Sequence, residues 1–147
     1  MVVGKILGNG LNNSKRSNMK DFVPYQEALE LKQLGFDEPC FGYYEDTGLT
    51  ITFPSTSENG WKWVGNSIIP TKNTSAPLYS QAFRFFRDKY NINTVISWRD
   101  DLLNYDISLT EMKKHGYFYY KDNFTTYEEA ELACLQQLIK IVKEQQK

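Results

Sequence analysis

The chain is poor in the residues from which most catalytic sites are built. One histidine, His115, and two cysteines, Cys40 and Cys134, stand among 147 residues. Ser-His-Asp and Cys-His systems need a positioned base. His115 instead follows two lysines and precedes a glycine in Lys113-Lys114-His115-Gly116, which reads as a solvated turn. Zinc centres need four ligands at characteristic spacing, and these three residues are scattered. Two cysteines also fall short of a disulfide framework, so Cys40 and Cys134 read as small buried hydrophobes.

Long apolar runs are missing as well. Nothing approaches the ~18 residues of a membrane span, and the apolar stretch near Met1 is shorter than the ~7–15 residues of a signal-peptide core. Charge of one sign is equally lacking. Lys+Arg total 17 and Asp+Glu 18, a net charge of -1, so no global field draws the chain to nucleic acid or an anionic membrane. Gly4, Gly8 and Gly10 neither follow a strand nor open a helix, as a phosphate-binding loop requires. These absences point to a cytoplasmic protein without metal or cofactor.

Aromatic residues are abundant, at 15% of the chain, which argues against disorder. The first eighteen residues differ from the rest, with Gly8, Asn9, Gly10, Asn12, Asn13, Ser14 and Ser17 making a polar segment. They read as a flexible arm, residues 1–18, ahead of a single domain over 19–147.

Within the domain, period-3.6 patterning predicts three helices. The first spans 24–34, with Pro24 in its first turn and Gly35 as a left-handed stop. In the second, Tyr79, Ala82, Phe83, Phe86 and Tyr90 share a face, and Ser75 reads as the cap. The third opens on the capping box Thr126-Tyr127-Glu128-Glu129 and runs to about Glu144. Its apolar positions are Leu132, Leu135, Ile139 and Val142.

Alternation predicts strands at Cys40–Tyr44, Leu49–Phe53, Trp61–Val64, Thr94–Trp98, Tyr105–Leu109 and Tyr117–Tyr120, with a short one at Ile68–Ile69. Glu45-Asp46-Thr47-Gly48 reads as a hairpin loop with Gly48 at the position needing positive φ. Strands lie consecutively rather than alternating with helices. The expected architecture is therefore α+β, an antiparallel sheet of about five strands with three helices packed on it.

Three kinds of site can be drawn on these elements. Trp61 and Trp63 share a strand face and, with Lys62, Arg84 and Arg87 nearby, could stack single-stranded bases; the neutral charge disfavours this, since backbone binding takes a basic footprint. The same aromatics suit a protein interface, where Tyr and Trp are enriched. Asp100 and Asp101, with Glu111-Met112-Lys113, resemble the Asp…Glu-x-Lys core of metal-dependent nucleases. Glu30-Leu31-Lys32 carries the same spacing on a helix, however, and a strand would send Asp100 and Asp101 to opposite faces. The last helix has an apolar surface wide enough for the sheet and, through its remainder, for a homodimer contact; otherwise the chain is a monomer.

Three segments carry a resemblance. They are Phe22-Val23-Pro24-Tyr25-Gln26-Glu27-Ala28-Leu29-Glu30-Leu31-Lys32-Gln33-Leu34-Gly35-Phe36-Asp37-Glu38-Pro39-Cys40, then Ala76-Pro77-Leu78-Tyr79-Ser80-Gln81-Ala82-Phe83-Arg84-Phe85-Phe86-Arg87, and Thr126-Tyr127-Glu128-Glu129-Ala130-Glu131-Leu132-Ala133-Cys134-Leu135. Together they resemble a family of small uncharacterised proteins of bacteriophages and prophages. The resemblance covers Met19 to about Lys143, and residues 1–18 depart from it. It brings no established activity and no catalytic residues. It implies a context: a viral or prophage accessory protein in a bacterial host. With the catalytic residue types so few, the expectation is a non-enzymatic protein that acts by contact with a host or phage protein.

Overall fold

Each run of alternating residues forms a strand only where another strand hydrogen-bonds to it, and among the described residues those pairings give two sheets. The computed structural model describes residues 3–5, 20–52, 65–111 and 117–146. Its elements are β1 (Val3–Lys5), α1 (Tyr25–Gln33), β2 (Gly42–Glu45), β3 (Gly48–Thr52), β4 (Thr74–Ser75), α2 (Tyr79–Tyr90), β5 (Ile92–Arg99), β6 (Asn104–Glu111), β7 (Tyr117–Phe124) and α3 (Tyr127–Gln145). They divide into two compact units, Met1–Leu78 and Tyr79–Lys147. The first holds a sheet in the order β1-β3-β2-β4 and the second a sheet in the order β5-β6-β7. Every pairing is antiparallel. The α+β class holds, and two sheets replace the single one of about five strands. The reason is local pairing. β5, β6 and β7 follow one another with short links and pair as a meander, as β2 and β3 do, while the whole of α2 separates the two groups. Alternation tells which face of a strand is buried, not which strand lies beside it.

In the first unit, α1 begins one residue later than the pattern suggests, with Pro24 as its N-cap in extended conformation (φ -59°, ψ 156°). Gly35 ends the helix at φ 86°, and the Phe36 N–H reaches back to the Leu31 carbonyl at 2.9 Å. Lys32 then ties the helix to a loop, its Nζ donating to the carbonyls of Thr71 (2.8 Å) and Asn73 (2.6 Å). Tyr44 anchors the sheet from below α1: its hydroxyl donates to the Val23 carbonyl at 2.7 Å, and its ring meets Tyr25 edge-on. The β2–β3 turn has two residues, since Glu45 pairs with Gly48. Asp46, not Gly48, takes the positive φ (54°), a conformation Asp accepts because its short side chain bonds locally. Ser75 is a strand residue paired with Tyr43 rather than a helix cap, and Ile68–Ile69 lies in a turn. The predicted strand Trp61–Val64 lies outside the described residues.

The second unit follows its sequence pattern more closely. α3 lies across all three strands, and α2 packs beside β5 and α3. The ring contact between Tyr105 of β6 and Tyr127 of α3 (5.8 Å) shows which face of the sheet meets the helix. By alternation that face also carries Ile107 and Leu109, both fully buried. Opposite them α3 buries Ala130, Cys134, Leu135, Leu138, Ile139 and Val142. Leu132, expected in that seam, is half-buried at its margin, with Ala133 and Ile141. The capping box forms: the Thr126 hydroxyl accepts the Glu129 N–H at 3.2 Å. Glu129 reaches one residue further back than the motif implies, accepting from the Thr125 N–H and hydroxyl. Both cysteines are free and buried, and burial pushes each thiol up to about 12. Among the described residues no helix is long and apolar enough to cross a membrane.

Candidate functional site

The β5–β6 hairpin gathers the most distinctive side chains of the chain at its turn. Its ladder closes with Arg99 opposite Asn104, leaving Asp100-Asp101-Leu102-Leu103 as the loop. Leu103 has φ 50°, the left-handed conformation that Gly or Asn ordinarily fills. It is 73% exposed, and Leu102 is 50% exposed.

Directly below the loop, Trp98 pairs with Tyr105 and Tyr105 with Phe124, an aromatic row across β5, β6 and β7. Trp98 and Tyr105 meet edge-on at 4.9 Å, and Tyr127 closes the cluster from the first turn of α3. Trp98 and Tyr127 remain 46% and 45% exposed. The Trp98 indole N–H donates to Asp100 at 2.6 Å, which fixes the ring against the loop. Lys121 sits over the Phe124 ring at 5.4 Å. Trp98, Leu102, Leu103 and Tyr127 thus present exposed apolar surface at one end of the sheet.

The opposite face at the same end is polar. Ser97 donates to one Asp106 oxygen (2.5 Å) and Tyr120 to the other (3.2 Å). Arg99 donates to Tyr120 at 3.2 Å and grips Asp101 with two bonds, at 2.9 and 2.7 Å. The Asp101 carboxylate raises the guanidinium further above its already high range, and Arg99 in turn holds Asp101 below the usual carboxylate range. Lost hydration, with the Asp106 charge behind it, pushes the Tyr120 hydroxyl up. Tyr120 therefore stays a hydrogen-bond donor at neutral pH rather than a nucleophile. One carboxylate surrounded by two hydroxyls and a guanidinium stiffens the hairpin beneath the tip.

The sites drawn from sequence fare differently. Asp100 and Asp101 occupy the loop, whereas Glu111 pairs with Ile92 at the other end of β6. At ~3.4 Å per residue that is roughly 24 Å of strand, so these carboxylates do not converge; Lys113 lies outside the described residues. Among the described residues no group of three His, Cys, Asp or Glu could hold a metal ion. Arg84 and Arg87 are exposed on α2, with the Arg87 Nε 3.4 Å from Asp88. Trp61, Lys62, Trp63 and His115 lie outside the described residues. Sequence reasoning missed Trp98, Leu102, Leu103 and Tyr127. Two adjacent leucines in a hairpin loop, where polar residues belong, were the available signal. The aromatic row could be seen only once the strand register was known. No family model, curated protein or solved structure matches the chain.

Proposed function

We propose that this chain is a phage-related accessory protein of a bacterial host cell that acts without catalysis, through protein–protein contact at the β5–β6 hairpin tip. One observation carries the reading: Leu102 and Leu103 in the hairpin loop, Trp98 on β5 beneath it and Tyr127 in the first turn of α3 are all exposed at one end of the sheet, where the Trp98–Asp100 and Arg99–Asp101 hydrogen bonds brace the loop. Rigid aromatic anchors with aliphatic neighbours are the usual centre of a protein interface, because ordering them on binding costs little entropy. The partner is a host or phage protein with a complementary apolar pocket. The reading calls on no cofactor.

The test is retention of proteins from infected host lysate by the immobilised chain, compared with two variants, Trp98→Ser and Leu103→Asp. Each is expected to weaken retention about thirtyfold, as loss of a contact worth roughly 2 kcal/mol would. Leu103 is too exposed for its change to disturb the core, and Asp takes the left-handed conformation more readily than Leu, so the melting temperature of this variant is expected to match or exceed the parent's. The same proteins retained equally by all three would sink the reading. The rival, single-stranded nucleic-acid binding through Trp61 and Trp63, predicts instead that a labelled oligonucleotide binds and that salt weakens it steeply.

A further inference from the structure

The aromatic row Trp98–Tyr105–Phe124 holds a cation at one of its ends and none at the other. At the β7 end the Lys121 ammonium sits 5.4 Å from the centre of the Phe124 ring, attracted by the negative face of that ring. At the β5 end Trp98 is exposed, and so is Tyr127, which closes the row from α3. Among the described residues no lysine or arginine lies over Trp98, Tyr105 or Tyr127. Arg99 follows Trp98 directly, but its guanidinium is turned to Asp101 and Tyr120. The rings also meet edge-on, Trp98 with Tyr105 at 65° and Tyr105 with Tyr127 at 81°. Such contacts leave ring faces uncovered that a stack would hide.

The charges beside the open end are negative. Asp100 accepts the Trp98 indole N–H at 2.6 Å through one carboxylate oxygen. An indole N–H points along the plane of its ring, so this carboxylate stands at the edge of the ring and leaves its faces clear. Glu131 lies one helical turn on from Tyr127. Lost hydration and, after it, the Glu131 charge push the Tyr127 hydroxyl up. Glu128 and Glu129 complete the first turn of α3, both exposed. Carboxylates draw a cation toward the rings and turn phosphate away, which separates this surface from a platform for nucleic acid.

We infer that the open end of the row is a receptor for an arginine side chain of the partner protein, its guanidinium laid on the Trp98 and Tyr127 end with Asp100 at its edge. This rests on the contact reading of the tip and names what the partner brings to it. Arginine is chosen by shape. A guanidinium is planar, so it overlies a ring and still aims N–H bonds past the ring edge at a carboxylate; an ammonium is a compact, strongly hydrated point charge. The contact is made against ring faces and desolvated by the partner, and salt screens such a contact little.

A capped arginine, N-acetyl-arginine methylamide, tests the site on the full-length chain with no partner present. The readout is the indole N–H resonance of Trp98, one of three tryptophans, assigned by its loss in Trp98→Phe. That resonance is expected to move saturably with the arginine amide. The citrulline amide, of the same shape without the charge, is expected to bind about fivefold more weakly. Tyr127→Leu keeps an apolar group without a ring, and Asp100→Asn still accepts the indole N–H without the charge. Each is expected to weaken arginine binding about threefold or more while its melting curve stays with the parent's.

Citrulline that binds as tightly as arginine makes the contact merely apolar and overturns the inference. So does arginine binding left unchanged in both variants. Equal binding by the lysine amide overturns the choice of a guanidinium, and a shift produced by oligothymidine instead of arginine makes the row a base-stacking platform. In the lysate assay Asp100→Asn is expected to retain less partner than the parent. Full retention by Asp100→Asn beside loss in Leu103→Asp overturns the inference and leaves the contact reading standing. Saturable arginine binding with nothing retained does the reverse.

Discussion

Asp37, Asp101 and Glu129 each hold a carboxylate below its ordinary range, and each does so by hydrogen bonding. Asp37 accepts from Ser67, whose N–H lies 2.6 Å away; Asp101 accepts two bonds from Arg99; Glu129 accepts from Thr125. A carboxyl with a lowered folded pKa contributes stability above its unfolded value and loses it as pH falls through the folded one. The unfolded values are 3.8 for Asp and 4.5 for Glu. The melting temperature is therefore expected to hold above about pH 5 and to fall progressively below it. Because all three groups face solvent, the fall is expected to be shallow and to weaken in high salt. A triple variant, Asp37→Asn, Asp101→Asn, Glu129→Gln, is expected to start from a lower melting temperature at pH 7 and to flatten the acid limb. An acid limb unchanged in that variant would place the titrating groups elsewhere.

The third helix tests capping at the scale of one element. Thr126 accepts the Glu129 N–H, so Thr126→Ala leaves one of the first-turn amide groups without its acceptor. The expected loss is about 1 kcal/mol in denaturant unfolding; no loss would mean the helix start is held by other contacts. This cap was legible in Thr126-x-x-Glu129 because both partners lie within four residues, and the Gly35 stop was legible for the same reason. Where the pattern misled, the deciding neighbour was distant. Ser75 looked like a helix cap, yet it pairs with Tyr43. Gly48 looked like the residue of positive φ, but the turn is shorter and Asp46 takes it. Gly42 gave no signal at all, and its reason lies across the sheet: a Cβ there would sit 2.5 Å from the Thr50 carbonyl oxygen. The candidate site was the least legible part. Trp98, Tyr105 and Phe124 are far apart in the chain, and only the β5-β6-β7 register brings them into one row.

At the scale of the whole molecule, a balanced surface charge and an apolar tip make one joint demand. A chain of net charge -1 gains little from long-range attraction, so the proposed association at the tip calls for burying Trp98, Leu102, Leu103 and Tyr127. In that proposal Leu103 is a contact residue kept at a cost to the free protein. A left-handed L residue is disfavoured by roughly 1–2 kcal/mol, and here the side chain is also left in water. Asn adopts the same conformation more readily, because its amide bonds to the local backbone. Leu103→Asn is therefore expected to raise the unfolding free energy by roughly 0.5–1 kcal/mol while weakening retention of the partner. Retention by the parent is expected to change little between about 50 and 500 mM salt, a range over which a charge-driven contact would decay. Stability and binding that move in opposite directions on one exposed substitution would separate a contact residue from a merely structural one. A gain in stability with full retention would make the tip an ordinary loop and remove the surface on which the proposed contact depends.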